Sequence, residues 1–212
     1  MKKQLILTLV LGFLFASANV FAQVDVKKKD LKAIKQAKKE SKKMKKEGWN
    51  VAPGALPLEK SLERSWSLLL DMDEKGRKKY IDADGNAVAE SKSAADIQAL
   101  ELAKLNLAGQ LETEIAALIE ASVANQQLSR EDAASVTKVV AGSKNMIKNT
   151  ITQVDPVYKV YRDVGDKNVE VQLKIFYNRD EAYNNAKRVV RKKLEEETTI
   201  IHQKLDNLLD LK

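Results

Sequence analysis

Cysteine is absent from the 212-residue chain, and histidine occurs once, as His202. Without thiols there can be no disulfide, no thiolate nucleophile and no cysteine metal site, so packing alone must hold the fold. Aromatic side chains make up 5% of the residues, and three of the four phenylalanines (Phe13, Phe15 and Phe21) fall within the first 22 positions. What remains is too sparse for the stacking surfaces that bind sugars or bases. Trp49 and Trp66 are read as packing residues. No phosphate-binding loop or nucleophile elbow is present.

Long hydrophobic runs are equally scarce, with one exception. Lys2 and Lys3 precede the apolar stretch Leu5–Phe15, and Val20-Phe21-Ala22 leads into Gln23. That order is expected of a secretory signal peptide cleaved after Ala22. The run falls short of the roughly 20 apolar residues a bilayer span requires. Bacterial lipoproteins are acylated on a cysteine at the first mature position, and here that position is Gln23. The expectation is an exported protein, periplasmic or secreted from a Gram-negative cell, with no transmembrane segment once the leader is removed. The domain organisation reads as a leader at 1–22, a lysine-rich helical arm with a Pro/Gly linker at 23–58, and one domain at 59–212.

Positive charge is concentrated in that arm. Lys27, Lys28, Lys29, Lys32, Lys35, Lys38, Lys39, Lys42, Lys43, Lys45 and Lys46 face only Asp30 and Glu40. Their excess is larger than the net charge of +7 on the whole chain, so the remainder is acidic. A nucleic-acid-binding domain, whose basic patch is built into its fold, is not expected. These eleven lysines are the candidate contact for a polyanion or an anionic membrane surface. Leu31, Ile34, Ala37 and Met44, joined by Ser41, recur at helical steps and predict a thin apolar stripe, with Gly48 ending the helix. The alternative is therefore a solvated helix docked by that stripe. The acidic residues Glu195, Glu196, Glu197, Asp206 and Asp210 make the C-terminal helix its expected neighbour.

Beyond the linker, Leu58–Arg64 predicts a helical turn, Trp66–Met72 a strand, and Asp73–Gly76 a turn. A return strand is expected at Lys79–Ile81, with a second turn at Asp84-Gly85-Asn86. Ser93–Val123 reads as a buried helix. One face is Ile97, Leu100, Leu107, Leu111, Ile115 and Leu118; a second is Ala95, Ala99, Ala103 and Gly109, where a neighbouring backbone or a second copy is expected to approach. Ser129 is expected to cap a helix over Arg130–Asn149. Val157–Val164 and Val169–Tyr177 predict a hairpin through Gly165–Asn168, the second strand alternating apolar and polar residues. A final helix from Asp180 carries Ala182, Ala186, Val190, Leu194, Ile201, Leu205 and Leu208.

The aspartates of Asp71–Gly76 and of Asp82, Asp84 and Asn86 are explained by turn chemistry, since Lys75 stands where a calcium loop needs an oxygen ligand. Glu112 and Glu114 lie two apart on a helix and point to different faces. His202 sits between surface residues. No catalytic residue, metal ligand or cofactor is expected. A carboxylate-based hydrolase is the weaker alternative.

The order of leader, short strands, alanine-rich helix (Ala94 to Ala103), hairpin and final helix resembles small bacterial envelope lipoproteins with a compact α+β core. The Lys45–Trp49 and Ala99–Lys104 stretches resemble more closely a group of uncharacterised exported proteins of Gram-negative bacteria. The resemblance implies a non-enzymatic envelope protein and carries over no functional residue. The expected fold is α+β: a small antiparallel sheet covered on one face by the buried helix, with the C-terminal and basic N-terminal helices outside it. The expected role is structural or interactive, through a protein partner or self-association.

Overall fold

The computed structural model describes residues 28–124, 129–152 and 154–197. The expected leader, Lys27, His202 and the C-terminal positions Ile201, Leu205, Asp206, Leu208 and Asp210 lie outside them. The helices are α1 (28–46), α2 (Leu58–Leu69), α3 (Lys92–Ala124), α4 (Arg130–Ala141), α5 (Lys144–Thr150) and α6 (Arg179–Glu197). The strands are β1 (Tyr80–Ala89), β2 (Tyr158–Asp163) and β3 (Val169–Asn178). They form one antiparallel sheet in the order β1-β3-β2. The fold is α+β, as expected.

The β2–β3 hairpin forms where the alternation places it. Its loop turns through three consecutive left-handed residues, Gly165, Asp166 and Lys167. The N-terminal half of the sheet differs from expectation. Trp66–Met72 is not a strand, because the buried positions Leu58, Ser61, Leu62 and Ser65 set a helical period that Trp66–Leu69 completes. Asp84-Gly85-Asn86 is not a turn but the middle of β1, opposite Lys174, Leu173 and Gln172.

Gly85 is there because α3 crosses β1 directly above it. Ala95, Ala99 and Ala103, all fully buried, bring the helix backbone against the inner face formed by Ile81, Ala83, Val171, Leu173 and Ile175. Past the sheet the same stripe continues with Leu107, Leu111, Ile115 and Ile119, large residues that fill space between α4, α5 and α6. The two faces expected for α3 are thus one face, and Ile97 is 66% exposed. Gly109 meets no neighbouring backbone: a Cβ there would touch only the end of the Lys144 side chain at 3.2 Å.

Ser129 caps α4 as expected, accepting from the Asp132 N–H at 3.1 Å. Gly142-Ser143 then breaks the expected single helix into α4 and α5. Asn178 caps α6 through the Glu181 N–H, and Ala182, Ala186, Val190 and Leu194 are all buried.

α3 also guards the free edge of β1. Asn106 Nδ2 donates to the Asp84 carbonyl (2.9 Å) and Gln110 Nε2 to the Asp82 carbonyl (2.8 Å), satisfying groups that would otherwise template another strand. The β2 end of the opposite face is covered as well, while Asp84, Asn86 and Val88 of β1 stay exposed there. Tyr158 and Val160 of β2 are buried beneath α1 and α2, in a second apolar cluster with Ala37, Met44, Trp49, Leu58 and Leu62.

Candidate functional site

α1 is held by its small residues. Ala33, Ala37, Ser41 and Met44 are each at most 5% exposed, at steps of four, four and three. The short side chains of Ala33, Ala37 and Ser41 let the helix lie close on the domain, and the longer Met44 fills the cluster with Trp49, α2 and β2. The described contacts of the arm are to α2, Asp71 and the β2 side of the sheet, and Asp206 and Asp210, expected at the end of the last helix, lie outside the described residues. Trp66 Nε1–H donates to Glu40 (2.7 Å), and Lys29 pairs with Asp71 (2.8 Å).

The Lys-Lys-Glu-Gly-Trp stretch ends the helix. Gly48 is left-handed (φ 83°). The Gly48 N–H bonds the Lys45 carbonyl at 3.2 Å and the Trp49 N–H the Met44 carbonyl at 3.0 Å, which is the Schellman geometry. Trp49 then packs beside Met44. Arg162 fastens this end to the sheet: its guanidinium stacks on Trp49 (4.4 Å), donates to the Glu47 carbonyl and pairs with Glu170 at 2.6 Å.

With the small residues turned inward, the lysines are turned outward. Lys28, Lys32, Lys35, Lys38, Lys39, Lys42, Lys43, Lys45 and Lys46 are all exposed, while Lys29 is half-buried. Lys43 has Glu47 nearby at 3.7 Å. Six of them, Lys28, Lys32, Lys35, Lys39, Lys42 and Lys46, alternate steps of four and three. At about 100° per residue they keep to a sector of about 80° opposite the buried face, spaced about 5 Å apart along the axis. The result is a straight cationic row on a rigidly docked helix.

Leu31 and Ile34 were expected in the docking stripe and are not there. Leu31 is 67% exposed and projects at the edge of the lysine row, one turn from Lys28 and from Lys35, with Ile34, 40% exposed, on the flank. Spacing alone linked them to Ala37 and Met44; the helical projection separates them, and Ala33 takes their place.

Several of the acidic side chains singled out in the sequence are held in ion pairs. Glu114 accepts from Arg179 with both oxygens at 2.9 Å, and Asp82 and Asp84 both hold Lys174 at 3.0 Å. Asp73 accepts the Lys75 and Arg77 N–H groups and the Arg77 side chain, which closes the 71–79 turn. No group of carboxylates and histidine that could hold a metal occurs among the described residues. No described helix is long and apolar enough to cross a membrane.

A second feature escaped the sequence reading. At the outer edge of β2 lies a groove of about 330 Å³ between the 51–56 segment and the first turn of α3. Its signal was the Pro53-Gly54 pair, which was read only as linker punctuation. Comparison with protein-family models, with curated proteins and with solved structures finds no match, so the functional reading rests on this chain's own residues.

Proposed function

We propose that the chain is an exported, non-enzymatic interaction protein of the bacterial envelope whose working surface is the outer face of α1, resting on an anionic membrane surface. The observation that carries this reading is the division of α1 into two faces. Its small residues anchor it to the domain, and nine of its lysines remain exposed. A helix needed only for packing has no use for a straight row of cations. A purely electrostatic tether, in turn, has no use for a docking face. The exposed Leu31 at the edge of the lysine row favours a lipid surface over a soluble polyanion, because an apolar side chain there can enter the headgroup boundary.

Each lysine close to an anionic bilayer contributes about 1 kcal/mol. Replacing Lys32, Lys35, Lys39 and Lys42 by glutamine should therefore lower partitioning onto phosphatidylglycerol-containing vesicles by about three orders of magnitude. Binding should also weaken with added salt, since exposed charges are screened over about 8 Å at physiological ionic strength. Vesicle co-sedimentation that is unchanged in the fourfold variant, or equal on purely zwitterionic vesicles, would reject the proposal and leave α1 as a packing element.

A further inference from the structure

The groove at the edge of β2 is an incomplete sheet. Tyr161 exchanges both backbone hydrogen bonds with Asn50 (2.9 Å each), a single bridge outside the three strands. Antiparallel pairing alternates, so Lys159, two residues before Tyr161, also turns its N–H and C=O away from β3. Continuing the register from Asn50 would bring Ala52 opposite Lys159. Instead, Pro53 and the left-handed Gly54 (φ 79°) turn the chain away, closed by the Ala55 N–H on the Ala52 carbonyl at 3.0 Å. Among the described residues nothing takes up the outward backbone groups of Lys159.

The space so opened has the walls of a binding site. Val51, Leu56, Val157 and Val171 give it an apolar lining. Its charged groups are Arg64, Lys92 and Lys159 against Asp96 and Asp155. Lys159 is committed to Asp96 at 2.6 Å. Lys92 lies over the Tyr161 ring, 3.5 Å from its centre, with no carboxylate bonded to it among the described residues. Arg64 is exposed and has no partner among the described residues. An excess of cations therefore stands beside an unpaired strand edge. The Asn50–Tyr161 bridge blocks one end of the groove, so a chain end fits where a passing strand does not.

We propose that this groove captures the C-terminus of a partner polypeptide. The peptide extends β2 by pairing with Lys159, sets an aliphatic terminal side chain against Val51 and Leu56, and directs its carboxylate to Arg64 and Lys92. This combines strand addition with carboxylate recognition, in a volume suited to two or three residues.

The test uses the full chain and a fluorescein-labelled Gly-Ser-Thr-Ala-Val peptide, read by fluorescence anisotropy. The free-carboxylate peptide should bind at least about tenfold more tightly than its C-terminal amide, a difference equivalent to about 1.4 kcal/mol. Arg64→Ala with Lys92→Met should remove that preference while the melting temperature stays within about 3 °C of wild type. Lys159→Pro, which deletes the edge donor, should weaken binding. A peptide N-methylated at the pairing residue should bind the unaltered protein equally weakly, so the conclusion survives if the proline variant misfolds. Equal affinity for acid and amide, indifference to N-methylation, no binding up to about 1 mM, or retention of the preference in the double variant would each overturn the proposal.

Discussion

A Cβ placed on Gly85 would overlap the carbonyl oxygen of Ala99 and come within 3.0 Å of the Ala103 side chain. The obstacle is helix backbone, which cannot rotate aside, and α3 is fastened to β1 one to three turns further on by Asn106 and Gln110. Gly85→Ala should therefore lift α3 off the sheet and cost about 2–3 kcal/mol, the upper range for overpacking a core. Gly109→Ala on the same helix meets only a flexible lysine end. It should be neutral, or stabilising by up to about 1 kcal/mol through helix propensity. Denaturant unfolding of both variants checks the pair, and a Gly85→Ala protein as stable as wild type would show that the crossing is looser than described.

The same contact shows which parts of the fold could be read from the residues. Val169–Tyr177 announced a strand because its alternation is local, and Ser129 and Gly48 announced helix ends because capping is a property of a few adjacent residues. Asp84-Gly85-Asn86 has the composition of a turn. Only Ala99, fourteen residues on, makes it a strand, and no local signal carries that. Trp66–Met72 was ambiguous as a short apolar run, and the helix already begun at Leu58 decided it. The eleven candidate lysines were legible as a charge run, and the structure adds which way the ten described ones, Lys28 to Lys46, face. The β2 groove left only the Pro53-Gly54 pair as its sign, because it is made by a pairing that stops.

The stripe through α3 gives a second test. Leu111 is 1% exposed and packs in the main core, so Leu111→Ala should cost about 2–5 kcal/mol through lost burial and the cavity left behind. Ile97, expected from spacing to share its face, is 66% exposed. Ile97→Ala should change stability by less than about 0.5 kcal/mol. Thermal melts of the two variants should separate clearly, and similar losses would mean that Ile97 is covered in solution, with a second copy of the chain the first partner to test.

Stability should fall on the alkaline side. Burial pushes the Tyr158 hydroxyl above its ordinary value, and the charges of Asp84, Glu40 and Asp82 add to the effect. For Lys174, burial works against the charged form, but Asp82 and Asp84 outweigh it and raise the ammonium above its usual value. Both groups titrate higher folded than unfolded. Their contribution is therefore complete below about pH 10, the unfolded values, and is lost as pH rises from there through the raised folded values. Melts between neutral pH and pH 11 should show a decline beginning near pH 10, shallower in Tyr158→Phe. An identical slope in that variant would remove Tyr158 from the account.

The docking of α1 and the charge it presents should come apart experimentally. Docking depends on Ala37, Met44 and Trp49 in the outer cluster and on the left-handed turn at Gly48. Gly48→Ala keeps every lysine, yet places a Cβ at a backbone angle that disfavours it, at about 1 kcal/mol. Trp49→Ala removes both the packing against Met44 and the ring beneath Arg162, and should cost about 3 kcal/mol or more. The lysines contribute little to this contact, because the nine outward ones touch solvent and the one ion pair they make among the described residues, Lys43 with Glu47, is exposed. The fourfold glutamine variant should therefore melt within a few degrees of wild type, or slightly above it as lysine repulsion along the helix is relieved. Deleting residues 24–47 removes both properties, and should lower the melting temperature together with vesicle binding. If deletion abolished vesicle binding and left Tm unchanged, α1 would be a tether rather than a docked helix, and the cluster around Trp49 would need another explanation.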